Sequence, residues 1–206
     1  MEFIYFGLIA YLIGSIPTAI WVGKIKYGVD VREHGSKNAG ATNTFRVLGK
    51  KAGIFVLTVD ILKGFIASFL PYLFIDENLN PDKLALVQIT CSFLAVLGHV
   101  FPIYAGFKGG KGVATSLGVI IGVLPIAALI CIIVFLIVFI ASKYVSLGAI
   151  CASATFPIVT IFVFQSNSIW LKAFSIVLAA VVIIAHRKNI KRLLDGNESK
   201  MNLFKK

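Results

Sequence analysis

The chain has 206 residues, of which 58% are hydrophobic and only 14% are charged, and its mean hydropathy is +0.92. These values exclude an ordinary soluble domain and predict one all-α domain, residues 1–206, built as a polytopic helical bundle in a lipid bilayer. The net charge of +11 gathers in a few loops, which argues against nucleic acid as a partner. The three cysteines lie in apolar runs at no metal-ligand spacing, so neither a disulfide framework nor a metal site is expected.

Five apolar stretches each come near the ~20 residues that cross ~30 Å of hydrocarbon. In chain order they are Phe3–Val22, Gly53–Ile75, Leu84–Tyr104, Leu147–Phe164 and Ile169–Ala185. The first resembles an export signal in its apolarity. Because its start carries Glu2 and no lysine or arginine, we expect it to be a retained span.

A sixth apolar stretch, Val113–Ala141, is too long for one untilted span and is interrupted at Gly122-Val123-Leu124-Pro125. A bend there predicts two legs, the first of them short or partial, and about seven membrane segments in all. A single tilted crossing is the alternative and gives six.

Charge distinguishes the two topologies. Basic residues fill the loop before Gly53, the loop around Lys108 and Lys111, the position Lys143 and the tail after His186. The opposite loops are acidic, with Asp76, Glu77 and Asp82, or neutral, with Gln165-Ser166-Asn167. The positive-inside rule therefore predicts an N-terminus outside, with the basic loops and the C-terminus in the cytoplasm, and it favours the bend.

The first polar loop, from Arg32 to Gly53, is rich in glycine, hydroxyl and amide residues. Small residues let a backbone wrap closely around a ligand, and Arg46 adds a bidentate fork suited to phosphate. The candidate ligand contacts are Ser36, Asn38, Gly40, Thr42, Asn43 and Arg46. The alternative is a polar linker in which Ser36 or Asn38 caps the next helix.

The second polar loop, from Gly106 to Thr115, combines glycines and lysines before a helical run, which predicts an anion nest at a helix N-terminus. Neither the Walker A spacing nor the dinucleotide-binding spacing fits it. The candidate contacts are Lys108, Gly109, Gly110, Lys111, Gly112 and Thr115. A flexible turn with topogenic lysines is the alternative, and we interpret the flanking His99 and Tyr104 as packing residues.

The third polar cluster runs from His186 to Glu198. On one helix, His186, Asn189 and Leu193 would share a face, so two polar groups would point toward one site. The alternative is a basic helix beside the membrane.

Three further residues stand out. Asp60 and Lys63 lie one turn apart inside a span, where ionised groups are costly, and we expect a structural ion pair. Ser146 follows the basic Lys143 and is either a helix N-cap or a ligand donor. No histidine is followed by the aspartate of the His-x4-Asp acyltransferase signature.

These runs, in this order, resemble the bacterial membrane glycerol-3-phosphate acyltransferases that use acyl-phosphate, the PlsY family. The matching runs are Gly14-Ser15-Ile16-Pro17, Ser36 to Asn43, Asp60-x-x-Lys63-Gly64, Gly98-His99-x-Phe101-Pro102, Lys108 to Thr115, Ser146-Leu147-Gly148 and His186-x-x-Asn189-Ile190-x-Arg192-Leu193. Two departures are visible: Lys37 stands where the family usually has glycine, and Asn197 where threonine is common.

The resemblance implies acyl transfer from acyl-phosphate to the 1-hydroxyl of glycerol-3-phosphate, giving lysophosphatidate and phosphate in phospholipid biosynthesis. It implies no cofactor and no metal, a multi-pass protein of the bacterial plasma membrane, and functional coupling to the enzyme that makes acyl-phosphate. Both substrates carry phosphate, so we expect the basic loops to meet at one cytoplasmic pocket beside an acyl groove.

Five residues are expected to do the chemistry. Arg46 and Lys111 would bind the two phosphates, Ser36 and nearby amides would hold the acyl carbonyl or phosphate, and His186 and Asn189 would orient the glycerol phosphate. The general base is either His186 or the donor's own phosphate. The competing functions are a small transporter of an organic anion and a structural partner subunit, and Asp60 and Lys63 are the only charges inside the spans that a transport path would use.

Overall fold

The computed structural model describes residues 2–74 and 81–201. Within these ranges the secondary structure is helical throughout, with no β-strand, which confirms the predicted all-α class. The helices are α1 (Glu2–Gly14), α2 (Thr18–Tyr27), α3 (Ala41–Leu48), α4 (Lys50–Phe69), α5 (Pro81–Val100), α6 (Val113–Val123), α7 (Pro125–Ser142), α8 (Val145–Ile158), α9 (Ile169–Ala185) and α10 (Arg187–Leu194).

Five of the described segments are long and apolar enough to cross a membrane: Ile4–Tyr27, Lys50–Leu73, Pro81–Ala105, Pro125–Ser142 and Val145–Val163. A sixth is formed if α9 and α10, bent by 59°, are taken together, and Val113–Val123 is a shorter apolar helix. A bundle of several helices long and apolar enough to span a membrane is therefore confirmed, whereas a seventh segment and the orientation of the termini stay predictions. Ile75, Asp76 and Glu77, used above for one span and one acidic loop, lie outside the described residues.

The chain divides into two compact units, the first ending at Val123 and the second beginning at Leu124. In the first unit α4 is the central helix and packs against α1, α2, α3, α5 and α6. Glycines make the closest approaches: a Cβ on Gly64 would collide with the Thr115 carbonyl, and one on Gly118 with the Ile61 carbonyl. Small residues that let two backbones meet are typical of helix packing in lipid.

The first apolar span is broken between α1 and α2. Pro17 (φ −89°, ψ 67°) forms an inverse γ-turn in which the Thr18 N–H donates to the Ile16 carbonyl at 3.0 Å. The proline has no N–H to continue the helix, so the break falls where the sequence requires it.

The second unit is built from α7 to α10. α7 packs on α8 and α8 on α9, and α10 contacts both α8 and α9. Leu124 (φ −149°, ψ 75°) leaves helical geometry and Pro125 opens α7, so the interruption expected in Val113–Ala141 is present. Lys143 (φ 65°) makes the left-handed turn between α7 and α8, and a π-helical turn, Val159–Val163, follows α8.

Candidate active site

In the first unit, the side chain of Asn43 organises the first polar loop. Its Oδ1 accepts a hydrogen bond from the Ser36 N–H at 2.8 Å, and its Nδ2 donates to the carbonyls of Val31 (2.7 Å) and His34 (3.1 Å). The side chain is fully buried. All of these bonds are to residues 31–36, so Asn43 holds the loop in shape, and its predicted contact with a ligand stays a prediction.

The same hydrogen bonds determine which groups of the loop can contact a ligand. The Ser36 N–H is taken by Asn43, and the Lys37 N–H donates to the His34 carbonyl at 3.0 Å. Residue Ser36 is exposed, so its hydroxyl can contact a ligand, whereas its own N–H and that of Lys37 are already paired. Arg46 is also exposed, and its Cδ lies 3.4 Å from the position of a Cβ on Gly35, so the guanidinium stem lies beside the Ser36 turn.

Neither Ser36 nor Asn38 caps a helix, so that alternative is wrong. α3 begins at Ala41 and its N-cap is Gly40, whose extended backbone (φ −137°, ψ 169°) carries no capping side chain. The Gly40 carbonyl accepts from the N–H of Thr44, and also from its hydroxyl at 3.1 Å. Asn38 and Thr42 are both half-buried beside this start.

On either side of Ser36, two residues adopt left-handed backbone: Gly35 (φ 58°) and Lys37 (φ 59°). For an L-residue other than glycine, asparagine or aspartate this region costs roughly 1–2 kcal/mol. The family that the sequence resembles usually has glycine at position 37, and glycine adopts this backbone conformation without that cost. Lys37 adopts the same conformation under strain.

The second loop is shaped by His99, at the end of α5. The N–H of Gly110 donates to the His99 carbonyl at 3.1 Å, and the N–H of Gly109 donates to the Val100 carbonyl at 3.2 Å. A Cβ on Gly109 would collide with the His99 carbonyl, and one on Gly110 with His99 Nε2. Both glycines therefore have a packing requirement, and their amides are not available for the predicted nest.

The remaining part of that loop leads into α6. Gly112 has φ 80°, and its carbonyl accepts from the Ser116 N–H at 2.7 Å. Lys108 is exposed, Lys111 is half-buried, and the Thr115 side chain is fully buried in the helix. The lysines are thus the accessible ligand-binding candidates of this loop. The Thr115 carbonyl lies against Gly64, and the predicted ligand contact of Thr115 stays a prediction.

The two loops of the first unit meet. Arg32 Nη1 donates to the Ala105 carbonyl at 3.2 Å, and the Ala39 carbonyl lies 3.1 Å from the position of a Cβ on Gly110. Between the loops is an open cleft of about 420 Å³, lined by Asp30, Arg32, Glu33, Lys37, Lys108 and Gly109. The expected meeting of the first two polar clusters is thus present in the geometry.

Within the cleft wall, Asp30 and Arg32 form a bidentate ion pair, with Nε–Oδ1 at 3.0 Å and Nη2–Oδ2 at 2.8 Å. Hydrogen bonds from Arg32, aided by Lys24 at 3.2 Å, hold the pKa of Asp30 far below its usual value, and the pair raises the pKa of Arg32. The Asp30 carboxylate is therefore charged at neutral pH and orients Arg32 toward Ala105.

Beneath the loops lies a buried polar network. Lys63 Nζ contacts Asp60 Oδ1 at 2.8 Å and donates to the Ile16 carbonyl at 2.8 Å, and the Thr18 hydroxyl donates to Asp60 at 3.2 Å. His99 Nδ1 lies 3.7 Å from the same Asp60 oxygen, beyond hydrogen-bonding distance. His99 therefore lies between this ion pair and Gly110, which its interpretation as a packing residue did not include. Tyr104, the other residue interpreted as packing, is half-exposed and its ring contacts the Trp21 ring.

In the second unit, Glu198 collects three donors. Its Oε1 accepts from the Ser146 hydroxyl at 2.7 Å and from Asn189 Nδ2 at 2.6 Å, and its Oε2 accepts from Arg192 Nε at 2.7 Å. Burial by itself would raise the pKa of Glu198, but the bonds from Arg192, Ser146 and Asn189 outweigh it and lower the pKa. Ser146 is not an N-cap, since Tyr144 holds that position in α8.

His186 does not share a continuous helix with Asn189, contrary to expectation. It is the joint between α9 and α10, and its Nδ1 lies 2.8 Å from the Val182 carbonyl, so Nδ1 is the protonated nitrogen if the contact is a hydrogen bond. Both side chains are buried, His186 with 3% and Asn189 with 5% of their surface exposed. Asn189 is directed to Glu198, and His186 to its own helix.

Sequence reasoning therefore missed four residues that shape these sites: Asp30, Arg32, His99 and Glu198. The sequence contains a signal for Glu198. It follows Gly196 by two residues, and a turn at this glycine would bring its carboxylate back toward the basic residues before it. The described residues contain no group of three metal-ligating side chains.

Comparison with known proteins agrees with the family that the sequence motifs resemble. A family model described as glycerol-3-phosphate acyltransferase matches residues 4–196. The glycerol-3-phosphate acyltransferases of Fusobacterium nucleatum and Listeria monocytogenes are each 45% identical, over 97% and 98% of this chain and 98% of each relative.

Two crystal structures of PlsY, an integral membrane glycerol 3-phosphate acyltransferase, are also similar. The glycerol 3-phosphate form has a TM-score of 0.89 at 39% identity over the whole of both chains. The lysophosphatidic acid form has a TM-score of 0.84 at 38% identity, over 98% of this chain and 96% of the other.

Proposed function

The chain belongs to the glycerol-3-phosphate acyltransferase family and is an integral membrane acyltransferase of phospholipid biosynthesis, and we propose that its acyl donor is an acyl-phosphate. The acceptor is the 1-hydroxyl of glycerol-3-phosphate. That oxygen attacks the acyl carbonyl carbon, an ester bond forms, the bond from the carbonyl to the phosphate oxygen breaks, and inorganic phosphate leaves. The products are lysophosphatidate and phosphate, and the hydroxyl proton passes to a base.

The observation that carries the proposal is the meeting of two cationic loops in the first unit. The Arg32–Ala105 bond ties the segment before Ser36 to the segment before Lys108. Exposed cations from both loops, Lys37 and Lys108, line one cleft. A mixed anhydride is already activated, so catalysis by this site requires positioning and neutralisation of phosphate charge.

Arg46 and Lys111 are proposed to bind the two phosphates and to stabilise the leaving one. The exposed guanidinium of Arg46 presents a planar fork that matches phosphate oxygens. The Ser36 hydroxyl, left available while its own amide is taken by Asn43, would hold the acyl carbonyl or phosphate oxygen. Lys108, Gly112 and Asn38 would complete the phosphate contacts.

In the second unit, His186 and Asn189 are proposed to orient the glycerol phosphate, with Ser146 as a further contact. Two groups are candidates for the base: His186 and the donor's own phosphate. With Nδ1 facing Val182, Nε2 would be the nitrogen of His186 that accepts the proton. If the donor's own phosphate is the base, no protein group is needed to accept the hydroxyl proton.

We further propose that residues 1–206 act as one membrane domain with seven segments, an outside N-terminus, and cytoplasmic basic loops and C-terminus. The break at Leu124 and the short α6 support two legs in this region. Because acyl-phosphates hydrolyse in water, functional coupling to the enzyme that produces them would protect the donor. Labelling of cysteines placed at positions 37, 108, 143 and 191 in intact and opened cells tests the sidedness; labelling of 108 and 191 from opposite sides would contradict it.

The activity is tested with purified protein, acyl-phosphate and labelled glycerol-3-phosphate. We expect labelled lysophosphatidate and one phosphate per ester formed. Uptake into vesicles without product would favour a transporter instead. Inactivity in both assays would favour a structural subunit.

The charge-neutralisation roles are tested with Arg46→Ala and Lys111→Ala. Each should lower kcat by roughly 10²–10³-fold, the usual loss when one stabilising donor is removed. Lys26→Ala is the matched control, since it removes an exposed cation in the last turn of α2, outside both loops. Near wild-type turnover for both loop variants would contradict these roles.

A further inference from the structure

Glu198 is a buried carboxylate that the proposed reaction does not use directly. Its side chain retains only 8% of its exposed surface, although it lies beyond the last described helix. Two of its three donors, Ser146 and Asn189, are residues proposed to contact substrate. The third, Arg192, is on the same helix as Asn189.

The chain after α10 is built to bring Glu198 to this position. Gly196 (φ 69°) reverses the backbone, with the Gly196 N–H on the Leu193 carbonyl and the Asn197 N–H on the Arg192 carbonyl at 2.8 Å. This is a glycine-terminated helix end of the Schellman type. The segment is then fixed on the turn before α8, because the Met201 N–H donates to the Lys143 carbonyl at 2.9 Å.

We propose that Glu198 is a positioning residue for acyl transfer, whose carboxylate fixes the Ser146 hydroxyl and the Asn189 amide in the orientation that the reaction uses. The inference rests on the proposed function. It assigns Glu198 an action through these two side chains and no contact with substrate.

The geometry explains how one carboxylate sets both orientations. Oε1 is shared between Ser146 and Asn189, so the two side chains from α8 and α10 are held at a common atom. An ionised carboxylate only accepts, so the Ser146 proton points to Glu198 and the remaining lone pairs of its oxygen face elsewhere. Arg192, on Oε2, compensates the charge and prevents the carboxylate from rotating.

The matched pair of variants is Glu198→Ala and Glu198→Gln. Alanine removes the shared acceptor and releases both side chains, and we expect kcat/KM to fall by roughly 10–100-fold, the scale of a misplacement of about 1 Å. Glutamine keeps one oxygen for Ser146 and Asn189 while turning an amide toward Arg192, so its loss should be smaller. Lys200→Ala, which removes only a cation over the Tyr144 ring at 5.5 Å, is the control and should leave the kinetics unchanged.

A double-mutant cycle separates positioning from a purely structural role. If Glu198 acts through Ser146, the variant combining Glu198→Ala with Ser146→Ala should be no more than about 2-fold slower than the slower single variant. Losses that multiply would overturn the proposal, and so would a Glu198→Ala enzyme with wild-type kcat and KM. All variants are assayed below their thermal unfolding midpoints, so loss of folded protein does not enter.

The same experiment distinguishes this inference from the function on which it rests. A wild-type protein that forms no lysophosphatidate would remove the proposed function. An active wild type with kinetically silent Glu198 variants would remove only the positioning role.

Discussion

The two polar loops of the first unit are held in shape by opposite means. The Ser36 loop depends on a side chain, because Asn43 bonds the amide of Ser36 and the carbonyls of Val31 and His34. The Lys108 loop depends on the absence of side chains, because Gly109 and Gly110 lie against the His99 carbonyl and ring. One loop is therefore sensitive to deletion of atoms and the other to their addition.

The difference shows which groups of each loop remain for a ligand. In both loops several backbone amides are already paired within the protein. What each loop presents outward is side-chain chemistry: a hydroxyl and a guanidinium from the first, and ammonium groups from the second. These exposed side chains are therefore the groups that we propose for phosphate binding.

The largest effect is expected from Gly109→Ala. Its Cβ would collide with a backbone carbonyl, which cannot move without shifting the end of α5. We expect a loss of about 3 kcal/mol, the upper range for overpacking, together with most of the activity. Thermal unfolding in detergent micelles and turnover are the measurements.

Gly106→Ala is the control in the same loop. Gly106 has φ 63° and nothing within 4 Å of its Cβ position, so only the backbone cost of about 1 kcal/mol applies. Equal losses of stability at the two glycines would show that backbone conformation, rather than contact with His99, determines the stability of this loop.

Asn43→Ala should have the next largest effect. It leaves the Ser36 amide and two carbonyls without their partner in a buried site, at a cost of about 2 kcal/mol. Because the Ser36 turn loosens, KM for the phosphorylated substrates should rise. Thr44→Val, which removes one buried hydroxyl bond within α3, should cost less than about 1 kcal/mol and leave KM unchanged.

Arg32→Met tests the link between the loops. It removes the bond to Ala105 and the pair with Asp30, and we expect a loss of about 1 kcal/mol, since the guanidinium is partly exposed.

The same variant carries a pH signature. The pKa of Asp30 lies below its ordinary 3.8, so its ionised form stabilises the native protein above that pH. This stabilisation is lost as the pH falls through the lowered native pKa. Arg32→Met should therefore lose less stability on acidification than the wild type, and an identical acid dependence of the two midpoints would contradict the role of the pair.

The smallest effect is expected from Lys37→Gly, which relieves a left-handed backbone without altering a hydrogen bond of Asn43. The relief of roughly 1–2 kcal/mol is partly offset by the greater freedom of glycine in the unfolded chain, which leaves a gain of about 0.5 kcal/mol. Lys37→Ala removes the same charge but keeps the strain, so it should show no gain in the unfolding midpoint.

Much of the helical architecture was predictable, because hydrocarbon length and charge leave few choices. The bounds of the helix Ile169–Ala185 were predicted, and the interruption near Pro125 followed from proline and glycine chemistry. The Asp60–Lys63 contact followed from one-turn spacing and the cost of isolated charges in lipid.

The site residues were less predictable because residue type does not tell whether a polar group faces a ligand or the protein. Asn43 and Gly109 have the chemistry of ligand contacts, yet their polar groups are satisfied by neighbours distant in sequence. Glu198 and His99 were missed for the complementary reason. Their importance lies in side chains and backbone that only the fold brings to them.

The break at Pro17 and the buried Lys63 of α4 depend on each other. The γ-turn leaves a second lone pair on the Ile16 carbonyl, and the buried Lys63 Nζ donates to it at 2.8 Å while Asp60 compensates the charge. A straight first helix would withdraw that carbonyl and remove one hydrogen bond of the buried Lys63 ammonium. Positions 17, 60 and 63 should therefore change together over evolutionary time, and a designer who wishes to remove the kink must replace all three at once.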